Sequence, residues 1–244
     1  MTTEYKPAVG PFWAFTRICL NNWHYISRKT LTLNEEINFF TGHSGSGKST
    51  VIDAMQLVLY ANTDGRGFTD NLRAHGVEVK GKKLLILGTG GAANAISIQT
   101  ALEGAAEITI FNRRDEFFAS GQKIVEKLAG EVPDCRAEMC DLEDQERLAA
   151  AVRDSDILIN ATKVGMKPMD GDTLIPAELL HPGLIVADTV YNPLETRLLR
   201  EAKEAGCQVI GGIGMLLWQG AEAFRLYTGQ EMPVKEVQER YFSE

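Results

Sequence analysis

From residue 83 onward the chain alternates between two rhythms of apolar and polar positions. Short uninterrupted apolar runs recur at Leu84–Leu87, Glu107–Phe111, Asp156–Asn160, Leu184–Asp188 and Val209–Ile210. Between them, apolar residues return every three to four positions, which predicts helices over 92–102, 117–129, 143–152, 194–205 and 216–227. Runs this short cannot fill a helix. Flanked by glycines and helical stretches, they predict strands buried on both faces, and hence a parallel sheet covered by helices. The fold class is therefore α/β, a doubly wound, Rossmann-type parallel sheet.

Before residue 83 the pattern is different. Residues 15–21, 30–33 and 37–41 read as strands, and Val51, Ile52, Met55, Val58 and Leu59 mark a helix over 48–60. Asn62-Thr63-Asp64-Gly65-Arg66-Gly67 predicts a turn-rich break, followed by a short helix over 69–75 capped at Gly76. Two segments are expected: residues 1–61, and residues 62–244.

Each segment carries a glycine-rich loop between a strand and a helix. In the first, Gly42, Gly45, Gly47, Lys48 and Ser49 fit G-x-x-x-x-G-K-S. Such a loop wraps phosphates in backbone N–H groups, with Lys48 reaching the β/γ oxygens and Ser49 holding Mg²⁺. In the second, Gly88, Gly90, Gly91, Ala92 and Ala93 fit G-x-G-x-x-A after a buried strand. There Gly88 permits the tight turn, Gly90 the approach of a pyrophosphate, and Ala93 close helix packing. The helix start behind it offers free N–H groups and a positive dipole end. About twenty residues on, Asn112, Arg113, Arg114 and Asp115 end the second strand. An acid there suits the ribose hydroxyl of NAD and an arginine the 2′-phosphate of NADP, so both cofactors stay open.

Composition narrows the partners. The net charge of −8 argues against a general nucleic-acid or membrane-surface binder. Four cysteines without a C-x-x-C pair read as reduced thiols of a cytoplasmic protein, and four scattered histidines show no metal-ligand spacing, so no metal site is expected. No apolar run is long enough to span a bilayer.

Several ordered motifs then converge. They are Asn62-Thr63-Asp64-Gly65, the loop at Gly88, Asn112-Arg113-Arg114-Asp115-Glu116-Phe117-Phe118 and Asn160-Ala161-Thr162-Lys163-Val164-Gly165-Met166. Val190-Tyr191-Asn192-Pro193 and Gly214-Met215-Leu216-Leu217-Trp218-Gln219-Gly220-Ala221 complete the series. Residues 62–244 thereby resemble the C-terminal part of the shikimate dehydrogenase family, most closely its quinate/shikimate branch. Thr89 departs from it, since the family usually has alanine there.

The resemblance implies reversible hydride transfer between NAD or NADP and a ring alcohol of shikimate or quinate, a cyclic polyol acid. Gly90, Gly91 and Ala92 would cradle the pyrophosphate, and Asn112 to Asp115 the adenosine ribose. Lys163, Thr189, Val190, Tyr191, Asn192 and Gly212 would line the nicotinamide side. Asp64 matches the catalytic carboxylate and Gln219 a residue that hydrogen-bonds substrate. On residue pattern alone, Asp64 is a turn aspartate and Gln219 a polar residue on an otherwise buried helix.

The resemblance also implies a substrate domain ahead of Asn62, with a lysine paired to the aspartate, and neither is recognisable in residues 1–61. The expectation is a cofactor-binding chain with little or no turnover; the alternatives are a non-catalytic NAD(P)-binding module or an ATP-binding ATPase fragment built on the Gly42 loop. A homo-oligomer stays open, and an exposed sheet edge that paired with another chain would add a risk of aggregation.

Residues 12–61, with Phe15-Thr16-Arg17-Ile18-Cys19-Leu20-Asn21-Asn22-Trp23 ahead of the Gly42 loop, resemble the N-terminal head of SMC/RecF-like ATPases. That family needs a Walker B acid and a signature segment beyond a long coiled coil, and neither occurs here. A partial P-loop β/α fragment is expected, with ATP and Mg²⁺ binding not expected to be functional. The two resemblances meet near Tyr60–Phe68, where two unrelated coding segments are expected to have been joined.

Overall fold

The computed structural model describes residues 17–23, 26–32 and 63–242. The chain divides into two compact units, Met1–Val58 and Leu59–Glu244. In the first, strands β1 (Arg17–Trp23) and β2 (Ile26–Thr32) pair antiparallel from Arg17 opposite Thr32 to Trp23 opposite Ile26. The expected strand over 37–41, the helix over 48–60 and the loop residues Gly42, Gly45, Gly47, Lys48 and Ser49 lie outside the described residues.

The second unit is built on six parallel strands. They are β3 (Lys83–Leu87), β4 (Glu107–Asn112), β5 (Arg136–Asp141), β6 (Ile157–Asn160), β7 (Ile185–Asp188) and β8 (Gln208–Ile210). Their order across the sheet is β5-β4-β3-β6-β7-β8, so the winding reverses between β3 and β6. This is the Rossmann-like α/β arrangement that the apolar runs predict.

Alternation along β3 explains the two layers. Leu84 and Ile86 face one side, with Phe68 and Leu72 of α1 (residues 63–74), Ile96 of α2 (Gly91–Leu102) and Ile124 and Leu128 of α3 (Phe118–Glu131). Leu85 and Leu87 face the other, with Leu148 and Val152 of α4 (Gln145–Asp154) and Leu198 and Leu199 of α5 (Arg197–Glu204). All these leucines and isoleucines are at most 4% exposed. Each contributes about 1.5–3 kcal/mol of burial. A long helix, α6 (Gly212–Thr228), and a short one, α7 (Val234–Tyr241), end the unit.

Four sequence expectations change. The stretch predicted as a turn over 62–67 is helical from residue 63, because its glycines are packing points. A Cβ on Gly65 would lie 2.7 Å from the Ala95 carbonyl oxygen of α2, and one on Gly67 would lie 2.7 Å from the Gln219 nitrogen of α6. Strand β5 carries no apolar run, since Arg-Ala-Glu-Met-Cys-Asp is a half-buried edge; its pairing with β4 makes it a strand. Helix α6 starts at Gly212 rather than 216, and α7, with no buried residue, had no apolar signal to betray it.

Candidate functional site

Because every strand of the sheet runs the same way, Gly88, Asn112, Asn160 and Asp188 all emerge at one edge. The strand order reverses there, which opens a crevice beside the β3–α2 turn. Gly88 takes φ +103°, a left-handed value that favours glycine, and a Cβ there would meet the Ala161 carbonyl oxygen at 2.9 Å. Gly90 is the N-cap of α2. No side chain caps this helix, and its first turn has no acidic residue. A Cβ on Gly90 or Gly91 would meet nothing within 4 Å, so this face is open, while Ala93 behind it is fully buried. Uncapped amides facing open space suit an anion, and a pyrophosphate fits that donor set.

Thr89 is nearly buried and donates to the Phe117 carbonyl oxygen (3.1 Å), tying the loop to the start of α3. Gly121 makes the room: a Cβ there would come 2.7 Å from the Thr89 methyl carbon. The residue read as a departure is thus an anchor of the loop.

At the end of β4 the two arginines divide. Arg114 donates from Nε to Asp141 at the end of β5 (2.7 Å) and lies over the Phe118 ring at 5.2 Å. A hydrogen bond from the Glu143 backbone, with the Arg114 pairing second to it, holds the Asp141 carboxyl below the usual carboxylate range. Asp115 accepts from the Asn112 amide (3.1 Å) and the Phe117 nitrogen (2.9 Å). Arg113 is exposed; its carbonyl accepts from the Asn112 amide (2.9 Å) and the Asp115 nitrogen (2.8 Å), while its guanidinium has no hydrogen bond or ion pair among the described residues.

On the far side of the crevice, Asn160 and the buried Asp188 are joined by a hydrogen bond of 3.0 Å. Asp188 also accepts from the Val190 nitrogen (2.9 Å) and the Thr196 hydroxyl (2.7 Å). Burial raises its carboxyl above the ordinary aspartate value, and these donors only partly offset that. Thr189 is half-buried and donates its N–H to the Asn160 carbonyl (2.9 Å). Val190 is buried, Tyr191 and Asn192 are exposed, and Lys163 is exposed, its ammonium without a polar partner among the described residues. Gly212 packs under this loop, where a Cβ would lie 2.5 Å from the Val190 carbonyl oxygen.

Asp64 sits on the first turn of α1, half-buried, and accepts a hydrogen bond from the Gln219 amide of α6. Burial raises its carboxyl above the ordinary value. The two helices are clamped along their length. Arg66 pairs with Glu222 (2.9 Å), and Asn71 donates to the Gly211 carbonyl (3.1 Å) at the start of α6. The structure therefore joins Asp64 with Gln219, Asn112 with Asp115, and Thr189–Val190 with Gly212. It gives the side-chain cations of Arg113 and Lys163 no protein partner among the described residues.

Sequence reasoning named none of Asn71, Asp141 and Thr196 as site residues, and noted Asn160 and Asp188 only as strand ends. Polar residues closing apolar runs were the available signal for those two.

Comparison with known proteins bears directly on this edge. The chain is 51% identical over 181 residues to the shikimate dehydrogenase (NADP(+)) of Listeria monocytogenes serotype 4b (strain F2365), covering 74% of this chain and 62% of that protein. It is 48% identical over 179 residues to a quinate/shikimate dehydrogenase of Escherichia coli O139:H28, covering 73% of this chain and 62% of the relative. The C-terminal part of the chain matches the shikimate/quinate dehydrogenases.

A crystal structure of the Listeria monocytogenes shikimate 5-dehydrogenase, in complex with shikimate and NAD, superposes with a TM-score of 0.72 at 51% identity, over 74% of this chain and 62% of that one. The chain thus spans 62% of the length of these dehydrogenases. The family model "Shikimate 5'-dehydrogenase C-terminal domain" matches residues 212–240, and "P-loop containing region of AAA domain" matches residues 15–70. The second match runs into α1, where Asp64 lies. Among the described residues no helix is long and apolar enough to cross a membrane, and no cluster of His, Cys, Asp or Glu is arranged to hold a metal ion.

Proposed function

We propose that residues 62–244 form the NAD(P)-binding part of a shikimate- or quinate-type dehydrogenase, and that the 244-residue chain itself turns over slowly. The observation that carries the cofactor reading is the uncapped, open Gly90–Gly91 start of α2 at the point where strand order reverses. The Listeria and Escherichia relatives support the reaction class.

The N–H groups of Gly91 and Ala92 would hold the pyrophosphate. Asn112 and Asp115, already bonded together, would orient the adenosine ribose, and the Arg113 guanidinium, unpaired among the described residues, would take a 2′-phosphate. Thr189 to Asn192, Lys163 and Gly212 would border the nicotinamide, which when bound exchanges the hydride. Gln219 would hold a hydroxyl of the cyclic polyol acid, and Asp64 would take the proton of the alcohol being oxidised. A carboxylate made more basic by burial suits that role.

Slow turnover follows from what precedes Asn62. Residues 12–61 carry a P-loop signature where the resembling family has its substrate-contacting domain and paired lysine. Losing one positioned acid/base group costs about 10²–10⁴ in rate, and losing the binding wall removes positioning as well. The test is shikimate- or quinate-dependent reduction of NAD and NADP by the pure chain. A rate above about 1% of a common enzyme value of ~10 s⁻¹ would overturn the slow-turnover reading.

A second reading concerns residues 12–61 alone: a remnant of an SMC/RecF-like ATPase head, joined near Tyr60–Phe68 to the dehydrogenase segment. The P-loop match over residues 15–70 favours it. Sequencing one uninterrupted DNA molecule across the codons for residues 40–80 tests whether the join is genomic.

A further inference from the structure

We propose that Asp188 is a positioning residue that sets the two nicotinamide-side loops, residues 161–165 and 189–192, against each other. The proposal rests on the cofactor reading above, and adds which buried group holds that half of the site.

Asp188 is 2% exposed, and its three donors come from three places. Asn160 closes β6, Val190 lies in the loop after β7, and Thr196 is the N-cap of α5. None of these partners carries a charge. Burying a carboxylate without a cation is costly, so a side chain needed only for packing here would serve better apolar. What the carboxylate provides is an acceptor on both oxygens, which fixes the direction of every donor around it.

That direction propagates along named bonds. Since Asp188 Oδ1 accepts, Asn160 must turn Nδ2 toward it, and the same Nδ2 donates to the Val164 carbonyl at 3.0 Å. Asn160 Oδ1 is then left to accept from the Thr162 nitrogen (3.2 Å) and hydroxyl (2.7 Å). Thr162 Oγ1 in turn accepts from the Val164 nitrogen (3.1 Å). These bonds fold the loop that presents Lys163. On the other side, Val190 N fixes the loop that presents Tyr191 and Asn192, while Thr196 Oγ1 bonds Asp188 and accepts from the Leu199 nitrogen (3.3 Å). The first loop also packs on the start of α5: Gly165 takes φ +98°, and a Cβ there would lie 3.0 Å from the Thr196 methyl carbon. The bonds end short of Gly90–Ala92 and Asn112–Asp115, and only the packing of Ala161 and Thr162 against Gly88 touches the other half, so the larger effect falls on the nicotinamide half.

The experiment compares NAD and NADP with ADP-ribose, which lacks the nicotinamide ring, by calorimetric titration of the full chain. Variants are Asp188→Ala, Thr196→Val and Thr196→Ser, each checked for cooperative unfolding. The expected result is that Asp188→Ala and Thr196→Val weaken the preferred dinucleotide about tenfold, with ADP-ribose affected much less and Thr196→Ser close to wild type. If Asp188→Ala does not fold, the Val/Ser pair at Thr196 still carries the comparison. Unchanged dinucleotide affinity in a folded variant, or equal losses for dinucleotide and ADP-ribose, overturns the proposal. A wild-type chain that binds neither ligand overturns the cofactor reading itself.

Discussion

The side-chain amide of Gln219 donates to the carboxylate of Asp64 across 155 positions of sequence, joining α6 to the first turn of α1. Two residues that look unremarkable on their own thus form one polar pair, held in place by Gly67 against α6 and by the Arg66–Glu222 ion pair.

Asp64→Asn keeps the shape of the side chain and removes its ability to take a proton. Affinity for NAD or NADP should stay unchanged, while any residual shikimate- or quinate-dependent reduction falls by about 10²–10⁴. Titration and a long, high-protein assay measure both. An Asn variant as fast as wild type would remove Asp64 from the reaction.

Gly65→Ala should destabilise the protein, although alanine ordinarily favours a helix over glycine. The new methyl would overlap the Ala95 carbonyl, and overpacking of this kind costs about 1–3 kcal/mol. Urea unfolding reads the change; a more stable variant would show that α1 and α2 are not in close contact.

Arg113→Ala should weaken NADP about tenfold and leave NAD unaffected, because, of the two arginines, only Arg113 has a guanidinium without a protein partner among the described residues. Equal loss of both cofactors would instead place Arg113 on the pyrophosphate or ribose.

Asp188 gives the pH dependence. Its folded-state carboxyl lies above the ordinary value of 3.8. Between 3.8 and that raised value, the folded protein keeps a proton that the unfolded chain has released. The stability this group contributes is therefore fully present below 3.8 and is lost as pH rises through the folded value. Asp188→Asn removes the effect, so the unfolding free energy of wild type minus that of the variant should decrease as pH rises through this window. A difference that grows with pH would contradict the assignment.

These residues also show what was readable in the chain beforehand. Leu84–Leu87 and its counterparts announced the central strands because burial on both faces demands continuous apolar residues. Strand β5 was silent, being an edge whose Arg136, Glu138 and Asp141 face partners or solvent while β4 supplies the pairing. Gly65 and Gly67 looked like turn residues because close helix contact and tight turns both ask for glycine, and only the positions of Ala95 and Gln219 separate the two cases. The glycine-rich turn at Gly88 was legible as a local motif. The Asn160–Asp188–Thr196 network was not, since its members lie far apart in sequence and belong to no pattern of period or charge.

Titrating the pure 244-residue chain with NADPH, NADH and ATP tests the central claim most directly. Saturable binding of at least one dinucleotide is expected, retained in Lys48→Ala and lost in Gly90→Val, where the β-branched side chain fills the open face before α2. Tight ATP binding with no dinucleotide binding would contradict the account.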